Sequence, residues 1–110
     1  MSKDKKKIRE NFRDSVFKRD KFRCVMCGLQ ATPQNVNDIL DCHHITNRNK
    51  MPNGGYVKEN GISLCKDKCH LLAEEVEQGL ATHSGFEIHN LYSIVESSYD
   101  KAIYESNKLK

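Results

Sequence analysis

Cys24-Val25-Met26-Cys27 and Cys65-Lys66-Asp67-Lys68-Cys69 set four thiols in two close pairs, and around them lie His43, His44, Asn60, His70 and Glu74. Pairs spaced C-x2-C and C-x3-C suit a tetrahedral zinc ion once they converge in space. A closed four-thiolate site keeps no open coordination position, so such a zinc holds structure and does no chemistry. Imidazoles beside a carboxylate suit a second, more open site for a reactive divalent ion. Four unrelated buried thiols would not fall into two such pairs. Cys24, Cys27, Cys65 and Cys69 are therefore expected to hold a structural Zn2+, while Cys42 is left over as a small, buried or half-buried residue.

The second constellation has its own chemistry. His70 and Glu74 are four residues apart, so on a helix they project from one face, as two ligands to one ion should. Hydrolysing a phosphodiester requires a deprotonated water, a cation against the charge growing on the phosphate, and help for the departing 3′ oxygen. A neutral imidazole is a competent base near neutral pH, and a neighbouring dication disfavours its protonation. Asn60 is expected to orient that imidazole by accepting a hydrogen bond from its other ring nitrogen, or else to cap the turn before Gly61. Strict alternation along a strand puts His43 and His44 on opposite faces and pairs Asp41 with His43. Asp41 is thus an alternative ligand or a carboxylate supporting one. Arg48 and Lys50 are candidates for gripping the scissile phosphate, and His83 and His89 have no supporting pattern.

These residues need elements to position them. Ile8, Phe12, Val16 and Phe17 recur at helical spacing among charges, which predicts an amphipathic, basic helix from about Ile8 to Asp20. The segment Asn37 to Ile45 reads as a strand carrying the histidines at its far end. Residues Thr46 to Asn60 form a long loop, a length that in compact domains points to function or disorder. Gly61 to Leu64 read as a short strand delivering Cys65, and Cys69 opens a helix on which Leu72 and Val76 lie a turn apart. Gly54-Gly55 allow a tight turn or a close backbone approach to a phosphate. Leu91, Tyr92, Val95, Tyr99, Ala102 and Ile103 predict one amphipathic helix over about 88–107, as packing or dimer surface. The expected fold class is α+β, with a ββα core over about 37–78 flanked by the two amphipathic helices.

Composition bounds the setting. The chain has 110 residues, 37% of them hydrophobic and none Trp, which means one domain with a modest core. Zinc binding, worth on the order of 10–16 kcal/mol in small zinc modules, then becomes folding free energy. Residues 1–7 read as a basic disordered tail, and 8–110 as a single domain. The net charge of +3 says little, but Lys3, Lys5, Lys6, Lys7, Arg9, Arg13, Lys18, Arg19, Lys21 and Arg23 crowd the first quarter, an electrostatic footprint for a polyphosphate partner. No apolar run follows the amino terminus and none spans a bilayer, so the expectation is a soluble cytoplasmic protein with no membrane contact and reduced cysteines.

Asp41-Cys42-His43-His44-Ile45, Asn53-Gly54-Gly55-Tyr56, Asn60-Gly61-Ile62-Ser63-Leu64-Cys65 and Cys69-His70-Leu71-Leu72-Ala73-Glu74 together resemble the HNH nuclease family with its ββα-metal fold. The resemblance covers roughly Phe22 to Glu77. It implies that His44 is the general base, Asn60 the residue orienting it, and His43, His70 and Glu74 the ligands of a catalytic Mg2+, Mn2+, Ni2+ or Zn2+. It implies a metal-dependent HNH endonuclease that hydrolyses DNA, by nicking or double-strand cleavage, to 5′-phosphate and 3′-hydroxyl ends. RNA stays open as a substrate, and so does monomer against homodimer. Restriction, phage genome processing and mobile-element roles all use such domains. The alternative is a non-catalytic, zinc-stabilised module that binds nucleic acid or a protein partner.

Overall fold

The computed structural model describes residues 2–109 as an α+β domain built on two antiparallel strands. Helix α1 (Ser2–Arg19) leads through a cysteine-bearing turn and a short helix α2 (Val36–Ile39) into strand β1 (Leu40–His44). Single turns of 3-10 helix at Arg48–Lys50 and Lys58–Asn60, with a turn through left-handed Asn53 and Gly54 between them, fill the expected loop before strand β2 (Gly61–Cys65). Helices α3 (Cys69–Glu77), α4 (Ile88–Ile94) and α5 (Tyr99–Asn107) complete the chain. Among the described residues, no helix is long and apolar enough to cross a membrane.

The strand register pairs Leu40 with Cys65 and runs to His44 opposite Gly61. Leu40, Ile45, Ile62 and Leu64 are fully buried and form the centre of the core with Val16, Phe17 and Leu91. Each such side chain contributes about 1.5–3 kcal/mol by leaving water. Phe12, Val16 and Phe17 are the buried stripe of α1, as their spacing predicts. This stripe lies close on β2 because Gly61 has no side chain: a Cβ there would stand 2.6 Å from Val16 Cγ2 and 2.8 Å from Phe12 Cε1.

The end of α1 also closes the free edge of β2. Asp20 Oδ2 accepts from the Ser63 amide at 2.9 Å, while the Val25 amide donates to the Ser63 carbonyl at 3.0 Å. Arg19 pairs with Asp20 and donates to the carbonyls of Lys58 and Gly61 at 2.6 and 2.7 Å. An edge strand covered in this way offers no template to another chain. Arg19 therefore leaves the basic surface to which its position in the charge run assigns it.

Three boundaries differ from expectation, the first being the strand expected over Asn37 to Ile45, which runs only from Leu40 to His44 because its opening residues belong to α2. Helix α1 begins at Ser2, so the segment 2–7 read as a disordered tail is helical; Lys is a good helix former and continues a helix already anchored by Phe12 and Val16. Met1 lies outside the described residues. The single helix expected over about 88–107 is two: Glu96 turns left-handed at φ 57°, and Ser98 starts α5 by accepting from the Lys101 amide at 3.1 Å. The Ser97-Ser98 pair is an N-cap signal that the continuous apolar spacing overrides on paper.

Candidate metal centres

The two cysteine pairs converge. The Sγ atoms of Cys24, Cys27, Cys65 and Cys69 all lie within 4.8 Å of one another, with Cys27 and Cys65 at 3.8 Å, and this cluster can hold a metal ion such as zinc. The hydrogen bond from Val25 to Ser63 docks the first pair beside β2, and Gly28 turns the chain out of it at φ 84°. The second pair sits where β2 ends and α3 begins, so the C-x3-C spacing is one turn between a strand and a helix. Burial and the neighbouring thiols raise Cys69 and Cys27 above the usual thiol range. At Cys24 burial acts in the same direction, but backbone N–H groups of Cys27 and Cys65 outweigh it and hold the thiol below that range. Thiols that oppose one another's ionisation need a cation among them to ionise together, and the donor set fits zinc.

The second cluster is formed by His43, His70 and Glu74, whose ligand atoms also lie within 4.8 Å of one another. β1 supplies His43; the first two turns of α3 supply the other two, one helical turn apart. His43 is buried and its Nε2 meets no hydrogen-bond partner. Burial, followed by the charges of His70 and His44, pushes its pKa down to about 3, so the ring is neutral as a ligand must be. His70 Nδ1 hydrogen-bonds to Asp41 Oδ2 at 2.7 Å, which aims Nε2 toward Glu74, 3.6 Å away. Asp41 is held in turn by Lys66 Nζ at 2.7 Å. Burial raises the Asp41 carboxyl, but the hydrogen bonds from Lys66 and His70 outweigh it and leave the group below the usual carboxylate value. Asp41 thus stands behind His70, the supporting place that strand alternation left open for it. Two imidazoles, one of them with an unpartnered buried nitrogen, and one carboxylate fit a divalent ion with open positions.

His44 faces the opposite side of β1. Its ring packs on Phe12, with centroids 4.7 Å apart, and meets the Tyr56 ring edge-on at 4.8 Å. Nε2 is covered and has no partner. Burial, then the Arg48 charge, pushes the pKa to about 4. Because the strand ends here, His43 and His44 still border one cavity of about 380 Å3, together with Arg48, His70 and Glu74. Arg48 is exposed and donates to the Tyr56 hydroxyl at 3.2 Å, whereas Lys50 does not line the cavity.

Asn60 does not touch the His44 ring. Its Oδ1 accepts from the Thr46 amide at 3.0 Å, and its Nδ2 donates to the carbonyls of Thr46 and Gly55 at 3.1 and 3.2 Å. The Ile45 amide donates to the Asn60 carbonyl at 2.8 Å. Asn60 thus fastens the backbone immediately after His44 instead of the imidazole, because its side chain turns toward Thr46 and Gly55 while the ring packs between Phe12 and Tyr56. Gly55 permits this: its φ is 66°, and a Cβ would stand 2.7 Å from Asn60 Nδ2. The Gly54-Gly55 turn therefore makes room for a side chain of the protein. Tyr92 on α4 completes the knot, donating to Asn60 Oδ1 at 2.8 Å and sharing a 2.6 Å hydrogen bond with Thr46 Oγ1. Neither Thr46 nor Tyr92 stands in a motif, and only the polar oxygen within an otherwise apolar helix stripe hints at a buried partner. Comparison with family models, curated proteins and solved structures finds no match for the chain.

Proposed function

We propose that the chain is a metal-dependent endonuclease of the HNH type that hydrolyses phosphodiester bonds in DNA, with His44 as general base. The observation carrying this reading is the shared cavity, where a three-ligand cluster of His43, His70 and Glu74 borders the same space as a separate, neutral imidazole. A binding module has no use for that division of roles. When bound at the three ligands, a divalent ion supplies positive charge against the scissile phosphate and the departing 3′ oxygen.

The chain's own residues do the rest. His44 takes the proton of the attacking water through a ring nitrogen, and its lowered pKa keeps it neutral at physiological pH. Asn60 holds Ile45 and Thr46, and so fixes where the imidazole leaves the strand. Asp41 holds the His70 tautomer. Arg48 borders the cavity with a fork suited to a phosphate oxygen pair. The cysteine cluster anchors the start of α3 and hence His70 and Glu74. The expected products carry 5′-phosphate and 3′-hydroxyl ends.

The competing reading, a zinc-stabilised module that binds nucleic acid or a protein without cleaving, draws on one observation: the Phe12 and Tyr56 rings pack against His44, and its Nε2 is covered. As a base His44 must be reached by water, so its ring must turn out from between Phe12 and Tyr56 when substrate binds. Replacing His44 with Ala separates the two. A nuclease loses cleavage and keeps DNA binding, whereas a binding module shows no cleavage to lose.

A further inference from the structure

We propose that Arg9 of α1 and Arg48 of the loop after β1 form a two-pronged clamp, braced by Tyr56, that grips the phosphodiester backbone of duplex DNA beside the reacting phosphate. The choice of DNA as the polyanion rests on the nuclease reading; the clamp itself rests on the geometry that follows.

The Arg9 guanidinium carbon lies 5.6 Å from the Tyr56 ring centroid, and Arg48 donates to the Tyr56 hydroxyl from another side. One aromatic ring thereby orients two guanidinium groups from elements far apart in sequence. Both arginines are exposed, and among the described residues neither lies within ion-pair distance of a carboxylate. They line a cavity of about 480 Å3 with Lys5 and Tyr56, and among the described residues no Asp or Glu contributes to its wall. Arg48 and Asn49 also line the cavity of the histidine cluster, so the two spaces share a wall. A third cavity, of about 310 Å3, continues along α1 past Lys5, Lys6, Arg9 and Arg13, with Glu10 as the one acid in its described wall.

Charge is sorted along this path. Glu74 and Glu77 line the metal-ligand end, Arg48 borders both spaces, and Lys5, Arg9 and Arg13, with Glu10 beside them, line the other end. Residues 5, 9 and 13 share one helical face. They span about 12 Å at 1.5 Å per residue, room for roughly three phosphates at 3.4 Å of duplex axis per strand. A predominantly basic groove bordering a cavity raises the local concentration of a polyanion, and guanidinium forks match phosphate oxygens in pairs. An acidic protein surface would meet the same charge, but it has no reason to run into a pocket built for one reacting phosphate.

The test is fluorescence anisotropy of a labelled DNA duplex with the full zinc-loaded chain and no added divalent ion, over roughly 50 to 200 mM salt, the range in which phosphate contacts register. The pair Arg9→Ala and Arg48→Ala should make the plot of log affinity against log salt shallower by about 1.8, or 0.9 for each lost contact. Across that fourfold range of salt the wild-type affinity should then fall about twelvefold more than the variant's. Arg9→Gln and Arg48→Gln should each give half the change in slope, and Lys101→Ala, on exposed α5, should give none. A doubly substituted protein that keeps its zinc, its circular dichroism and the wild-type slope overturns the clamp. The two proposals fail separately: plasmid cleavage with an unchanged slope sinks the clamp alone, and a shallower slope in a chain that never cleaves sinks hydrolysis alone.

Discussion

Tyr92→Phe deletes one oxygen and no packing volume, so its cost isolates the buried knot that carries Asn60. The hydroxyl gives its proton to Asn60 Oδ1 at 2.8 Å, so the 2.6 Å contact with Thr46 must have Thr46 as donor. Without the Tyr92 oxygen, Asn60 Oδ1 still accepts from the Thr46 amide, but the buried Thr46 hydroxyl loses its partner. A lost hydrogen bond is worth about 1 kcal/mol net and a stranded buried hydroxyl about 1–3 kcal/mol, which puts the expected cost near 2 kcal/mol. In a domain of this size that is roughly an 8–16 °C fall in Tm. Thr46→Val removes the stranded group, so the double variant should be less destabilised than the sum of the singles by about 1 kcal/mol. Urea unfolding at fixed zinc concentration measures all three. A Tyr92→Phe cost below about 0.5 kcal/mol, or strict additivity in the double variant, would show that the knot does not hold Asn60.

Gly61→Ala drives a methyl into Val16 and Phe12, and should cost about 1–3 kcal/mol in thermal unfolding while disturbing the Phe12 to His44 packing. Asp41→Asn removes the negative charge and leaves a single acceptor oxygen for Lys66 and His70, and should weaken Mn2+ binding, measured by calorimetry, by about 10–100-fold without loss of fold. Chelation of zinc, or Cys65→Ser, should melt the β2 to α3 junction, seen as lost amide-exchange protection over 61–77. Because zinc binds thiolates, the zinc-loaded state holds fewer protons than the free one, so zinc affinity should fall as pH is lowered; a chromophoric chelator reads this directly.

The grouping of the candidate ligands was the most legible part of the chain, because cysteine pairs and a His-x3-Glu spacing carry their geometry in the sequence. Strand alternation likewise placed Asp41 and His43 on one face and His44 on the other, as the register has them. Support for the site was not legible, since it is made by contacts far apart in sequence. Asn60 reaches Thr46 and Tyr92 instead of an imidazole, Arg19 and Asp20 close the edge of β2, and Tyr56 gathers Arg9 and Arg48. Tyr, Asn and Arg take many roles, and only their three-dimensional partners choose among them. The break between α4 and α5 went unread for a related reason: apolar spacing runs through it, while the Ser98 cap and the left-handed Glu96 decide it locally.

Supercoiled plasmid incubated with zinc-loaded protein, with and without added magnesium or manganese and beside the H44A variant, tests the central claim most directly. The account predicts relaxed or linear DNA only when the divalent ion is present, and none from H44A protein that still binds DNA. Equal cleavage by H44A, or intact plasmid with every metal despite a folded protein that binds DNA, would contradict it.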